Sequence, residues 1–393
     1  MDYFENTIQF MYYKLRMLKY IWRFIHVVEI CCCFFILVAA GCRDEPVQFT
    51  ESVSSVSLII TDTIGVELGD SSYVFGYAVD CVRTDSLIYI LDMSRAKLQM
   101  YYPDGSYYGF AGGGGQGPGE LLMPHCIEML PDGSFLIQDV MDLGLYSPDG
   151  EWQSHILTHS GNWPSQHTIM GDSIFAVRWH EFVHGNSNVL RQFIASYDLQ
   201  GEMVTEYMSD PISLPVAPEE NNDALNRSFF SHYFAGDLNG NLYMVRRSQP
   251  GYSVFCLDSD GVPFDTLSIE VPTVYKSPEE MEIEKAYIED YLTGMGTSNV
   301  LEWVYEPDPV KPAIAGLWLG WENNLWVLRG YTEKPVFDVW QVPEGEYLFT
   351  AELDLELPPD ELLTFYITPW CRDFLAVHED PFMVQRVLLI GVE

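Results

Sequence analysis

Basic residues are scarce in this chain. Lys and Arg number 20 against 57 Asp and Glu, for a formal net charge of −37. That excludes nucleic acid as a partner, because a polyanion is held by a basic footprint and this surface repels it. Long apolar runs are missing too: the marked one, Ile30 to Ala40, is too short to span a bilayer, which takes about 20 residues. No Ser-His-Asp order and no nucleophile elbow stands out. The Gly-rich run at 112–119 is followed by Glu120 and a strand, not by the Gly-Lys-Ser/Thr and helix that bring lysine and backbone N–H groups to a phosphate. It reads as a crossover between strands. Of the eight cysteines, three (Cys31, Cys32, Cys33) lie in the apolar run. Cys81, Cys126, Cys256 and Cys371 share no metal-binding spacing, and their apolar surroundings mark them as small core residues.

What is present begins with a targeting segment. Lys14, Arg16, Lys19 and Arg23 precede the apolar run, and Ala39-Ala40-Gly41-Cys42 closes it. A basic region, a short apolar stretch and small residues form a signal peptide. The last four residues resemble a lipobox, with Ala39 in place of the usual Leu. On this reading 1–41 is a lipoprotein signal peptide, Cys42 carries diacylglycerol, 42–53 is a polar tether and 54–393 is the folded part. Several acyl chains make such an anchor close to permanent. Arg43-Asp44-Glu45 resembles the basic-then-acidic signal that sends some lipoproteins to the outer cell surface, so the expectation is a cell-envelope protein anchored in the outer membrane. Removing 1–41 takes away Asp2, Glu5, Glu29 and the four bases, leaving 54 acids and 16 bases.

From Ser54 onward short strands alternate with tight turns, an all-β pattern. One turn class follows an inner strand: Thr84-Asp85, Asp132-Gly133, Gly171-Asp172, Asn239-Gly240, Asn323-Asn324 and Arg372-Asp373. A second comes later in each unit: Asp104-Gly105, Asp149-Gly150, Gln200-Gly201, Asp260-Gly261 and Glu344-Gly345. Six strands of similar shape follow the first class, beginning at Leu87, Phe135, Ile174, Leu242, Leu325 and Phe374. Repeats at this spacing predict a six-bladed β-propeller of four-stranded units a to d; seven blades or a sandwich are the alternatives. The last unit ends at its third strand, so Val56–Ile60 and Ile64–Leu68 are expected to complete it and join the two chain ends. Ser277-Pro278-Glu279-Glu280 carries an N-cap, a first-turn proline and a capping-box glutamate, which predicts a helix inserted between blades four and five.

The stretch Ile88-Tyr-Ile-Leu-Asp92, Pro103-Asp-Gly105, Gly112 to Glu120 and then Pro124 resembles an NHL-type propeller, in particular the bacterial lipoproteins called six-bladed β-propeller proteins. Leu325-Trp-Val-Leu-Arg329 matches the same group. The resemblance covers about residues 54–393 and implies the fold; it implies little about activity.

The ends of the b strands are Asp92, Asp139, Arg178, Arg246, Arg329 and His378: two acids, then three bases around the ring. Such a mouth suits an anionic or zwitterionic ligand gripped by arginine, or else the Asp residues cap turns and each Arg pairs locally. Near the starts of a strands lie His125, His167 and His232, three imidazoles that could together hold a divalent metal, Zn or Ca. In outline this resembles the NHL-type amidating lyase and the streptogramin lyase. Two functions follow. The first is a monomeric envelope module that binds a small ligand or a protein on its loop-rich face, through Arg178, Arg246 and Arg329. The second is a metal-assisted lyase or hydrolase using the three histidines. A scaffold subunit is a third.

Overall fold

The computed structural model describes residues 54–115, 117–139, 142–158, 163–182, 189–213, 232–246, 251–294, 306–320, 322–358, 366–370, 373–379 and 384–393. The signal segment, the tether, Cys42 and Cys371 lie outside them.

The fold is all-β and propeller-like, with one helix among the described residues. Four sheets are antiparallel meanders in chain order: β2–β5 (Ala78–Arg83, Ile88–Asp92, Lys97–Tyr101, Tyr107–Ala111), β6–β9 (Pro124–Met129, Phe135–Asp139, Asp142–Tyr146, Trp152–Thr158), β10–β13 (Trp163–Met170, Ile174–Phe182, Val189–Asp198, Met203–Ser213) and β14–β17 (His232–Gly236, Leu242–Arg246, Tyr252–Leu257, Pro263–Ile269). A fifth sheet has eight strands. It comprises β18–β21 (Ile314–Leu319, Asn324–Arg329, Val336–Gln341, Glu346–Leu353), β22–β24 (Tyr366–Trp370, Asp373–Glu379, Gln385–Val392) and β1 (Ser55–Ile64). Its order is β18-β19-β20-β21-β1-β24-β23-β22.

That eight-stranded sheet departs from the repeat of separate four-stranded units, and β1 is the reason. It pairs antiparallel with β24, Ile60 opposite Ile390, which closes the chain ends with one strand. Its first residues also pair in parallel with β21, Leu58 opposite Leu353, welding two meanders along one seam. The sheet folds back at this seam, since Trp326 of β19 and Phe374 of β23, far apart in strand order, meet with ring centroids 4.6 Å apart. Closure by pairing leaves fewer open edges to template aggregation.

Hairpin turns are set by side chains. Asp104, Asp132, Asp198, Asp237 and Asp258 each accept the backbone N–H two residues on, the local bond that favours aspartate in turns. Apolar clusters then fill the space between successive sheets. One cluster holds Leu91 with Ile127, and others hold Leu136 with Phe175, Ala176 with Phe234, Val254 with Val327, Phe337 with Phe374, and Ile90 with Leu375. The innermost strands β2, β6, β10, β14, β18 and β22 each touch the next, and β22 touches β2. Cys81, Cys126 and Cys256 are free, buried thiols.

Helix α1 (Pro278–Gly294) starts as its sequence requires. Glu280 N–H donates to Ser277 Oγ (3.1 Å) and Ser277 N–H to Glu280 Oε2 (2.6 Å), a reciprocal capping box. Lys276 with Glu284 (2.6 Å) and Lys311 with Glu280 tie it to the flanking segments. Among the described residues no helix is long and apolar enough to cross a membrane.

Packing at the ring's centre leaves no room for a side chain at Gly236. A Cβ there would lie 2.3 Å from the Ile169 carbonyl oxygen and 2.4 Å from Met170 Cγ, both on the neighbouring innermost strand. Gly236→Ala is therefore expected to force β10 and β14 apart and cost about 2–4 kcal/mol. Gly113→Ala, where nothing lies within 4 Å, should stay within about 0.5 kcal/mol. Urea unfolding of both variants checks this; equal midpoints would contradict it.

Candidate functional site

The b-strand ends act as latches. Asp92, wholly buried, accepts the N–H groups of Gly76 (2.8 Å), Tyr77 (3.1 Å) and Arg95 (3.2 Å). Asp139 does the same for Leu122 (2.8 Å) and Met123 (2.6 Å). In both sheets the carboxylate thus binds the two residues just before the a strand, fixing how the chain enters it. Burial raises the Asp139 carboxyl, and those two amide donors pull it back down. Arg178, also wholly buried, donates from Nη1 to the carbonyl of His232 (2.8 Å), joining β11 to the next innermost strand. Arg246 lies against His232 Nε2 and Asp210, each at 3.4 Å. Arg329 makes two bonds to the buried carboxylate of Asp338, 2.9 and 2.6 Å, and Tyr347 donates a third at 2.8 Å. His378 is half-buried on β23, opposite Arg386. The three arginines therefore each have protein partners, and two of them, Arg178 and Arg246, meet at His232.

The histidines divide. His167 is buried, with Nε2 3.3 Å from the Leu136 carbonyl and Nδ1 3.4 Å from the Gln138 amide. Nε2 must donate to the carbonyl, so Nδ1 accepts; turning the Gln138 amide to present its NH₂ satisfies both groups. Burial pushes the His167 pKa down to about 3, against the pull of the Leu136 carbonyl and with the charge of His125 adding to it. His125 packs its Nδ1 at 3.2 Å from the Met123 carbonyl. His232 is turned instead to Arg246. Among the described residues no three His, Cys, Asp or Glu side chains are grouped to hold a metal.

A cavity of ≈ 140 Å³ lies on the axis, in the ring of innermost strands. Each of the six contributes wall, for example through Arg83, Glu128, Thr168, Phe234, Trp318 and Thr368. Pro131, Leu238 and Gly320, at the turns that follow those strands, form its rim. The cavity thus lies toward the a–b turns, the end opposite the b-strand ends on which the sequence concentrates its charge. Its wall is mainly apolar. Gly316 makes space for Trp318: a Cβ there would sit 2.1 Å from the indole.

Two wall hydroxyls are already used. Thr168 Oγ1 accepts the Gly236 N–H (3.1 Å) and Thr368 Oγ1 donates to the Cys81 carbonyl (2.8 Å). Glu128 differs. Burial, with the charge of Asp80 behind it, pushes its carboxyl up to about 8. Burial likewise holds the Cys126 thiol well above its ordinary range, Asp80 and Glu128 adding to the effect. A protonated thiol is a poor nucleophile. One signal in the sequence pointed here: a single acid inside the apolar run Pro124-His-Cys-Ile-Glu-Met129.

Neither a protein-family model nor a curated protein matches the chain. Among solved structures it is similar to a candidate exported protein of Bacteroides fragilis NCTC 9343 (11% identity, 86% of this chain, 100% of that one, TM-score 0.48). It is also similar to a member of the DUF4221 family from Bacteroides vulgatus ATCC 8482 (11%, 86% and 98%, TM-score 0.48). A third likeness is to virginiamycin B lyase from Staphylococcus aureus (9%, 82% and 96%, TM-score 0.42). Likenesses this distant say nothing of ligand or reaction.

Two outcomes follow from this geometry. Arg329→Met leaves Asp338 buried without its counter-charge and is expected to cost about 3–5 kcal/mol in urea unfolding; a loss below about 1 kcal/mol would show that the pair is dispensable. For His167 the folded pKa lies below the ordinary value of 6.5, so its contribution is full above pH 6.5 and drains away as pH falls toward about 3. His167→Gln should flatten the fall of Tm over that window. An unchanged slope would mean that the imidazole is not held neutral.

Proposed function

We propose that the chain is a six-bladed propeller, lipid-anchored in the cell envelope through Cys42, that binds a small organic molecule in its central cavity. The eight-stranded sheet counts as two blades, because its halves pack face to face across the seam at β1. The carrying observation is the cavity: the ends of all six innermost strands surround an apolar space with a few polar groups, the make-up of small-molecule sites. An apolar cavity of about 150 Å³ takes a benzene-sized guest, which sets the scale of the ligand or of the part of it that enters. A binding role is favoured over catalysis because the thiol and the imidazole nearest the cavity are spoken for. The Cys126 thiol stays protonated and both ring nitrogens of His167 face protein. The anchor rests on the basic region, the short apolar run and the lipobox-like residues 39–42.

The test uses benzyl alcohol and ligand-observed NMR. The wild type is expected to show millimolar binding, and Leu238→Trp, which places an indole at the exposed rim, should abolish it. Equal saturation transfer in the two proteins would sink this reading.

A further inference from the structure

The Glu128 carboxyl carries a feature that the rest of the cavity wall lacks. Among the described residues it makes no hydrogen bond and no ion pair. It is partly exposed, and the space it meets is the cavity. A polar group inside an apolar wall costs free energy unless something bonds to it. Every other charge near it is accounted for. Asp80, on β2, accepts the N–H groups of Cys81 (2.7 Å) and Ile127 (2.8 Å) and lies close enough to act on Glu128. Arg83, at the end of β2, also lines the cavity and has an interaction of its own. His167, facing from β10, is neutral, and Cys126, on Glu128's own strand, is a protonated thiol. Asp80 and Glu128, on adjacent innermost strands, therefore repel each other, and among the described residues no ion pair to Glu128 offsets this.

A guest that completes this arrangement brings a positive charge on an apolar body. Phe234 and Trp318 stand in the same wall, and aromatic rings attract a desolvated cation. The surplus of 57 acids over 20 bases raises the local concentration of cations at the mouth. We propose that the central cavity takes a small organic ammonium, with Glu128 as its counter-charge. The inference rests on the cavity being the ligand site and adds the class of ligand to that reading.

Binding a fixed ammonium requires ionised Glu128, so the empty site must first release a proton. With the carboxyl at about 8 in the empty protein, affinity for a cation that cannot titrate falls about ten-fold from pH 9 to pH 7. His167 and Cys126 do not change state across this range, so the slope belongs to Glu128.

Three probes of one shape separate the possibilities by ligand-observed NMR: tetramethylammonium, tert-butanol and pivalate. The wild type is expected to prefer tetramethylammonium at pH 9 and to lose about ten-fold of that affinity by pH 7. Glu128→Gln should lose about ten-fold in affinity for the cation at pH 9, together with the pH slope, while holding tert-butanol unchanged. Folding of that variant is checked by its Tm. The raised pKa gives the wild type an advantage that is full below pH 4.5 and lost as pH rises through about 8, so Glu128→Gln should gain on the wild type over that window. Equal binding of tert-butanol and tetramethylammonium, or a preference for pivalate, with both signals lost in Leu238→Trp, overturns the cation inference and leaves the cavity as the site. Binding that survives Leu238→Trp, or no binding of any probe, overturns both.

Discussion

A sheet of this kind has two apolar faces, and a ring lets each be buried against a neighbour. Everything else here depends on that closure. The strands are short and could not stand as isolated hairpins; they are held because cluster follows cluster around the axis, from Leu91 against Ile127 to Ile90 against Leu375. The two chain ends meet in one sheet because β1 pairs with β24, so the last apolar interface forms only when the whole chain is in place. The Cβ that cannot exist at Gly236 measures how closely the innermost strands approach.

Closure also explains the charged residues. At the b-strand ends, Asp92 and Asp139 hold the backbone that leads into each a strand, and Arg178 reaches across to the next one. Side chains that would be costly to bury alone become fasteners where backbone groups need partners. Glu128 has no such fastening role. The ring creates an interior with a hollow axis, and a half-buried carboxyl faces that space without being given a partner. The central cavity on this scaffold follows from the same constraint that makes the fold stable.

Much of this could be read along the chain. Turn residues such as Asp198 and Asp237 act through bonds to N–H groups a few positions on, so sequence neighbours alone dictate them. The helix cap at Ser277 and Glu280 is likewise local. Apolar alternation marks the strands, and the missing fourth strand of the last unit pointed to the pairing of the two ends. The site was less legible. Arg178, Arg246 and Arg329 look equivalent by their repeat position, yet Arg178 and Arg246 meet at His232 while Arg329 pairs with Asp338, because those partners come from other strands or other sheets. Likewise His125, His167 and His232 lie near the starts of a strands but not at a common point in space: one ring packs on β7, another lies by Arg246.

The sequence by itself determined the all-β character, the positions of the turns and the helix start, and that the two chain ends meet, because those depend on periodicity and on bonds between near neighbours. Only the tertiary structure decided that β1 would weld two meanders into one eight-stranded sheet, that the cavity would lie toward the a–b turns, and that Glu128 would face it unpaired. Those outcomes depend on distances between residues far apart in the chain, and on an interior dielectric that exists only once the ring has closed.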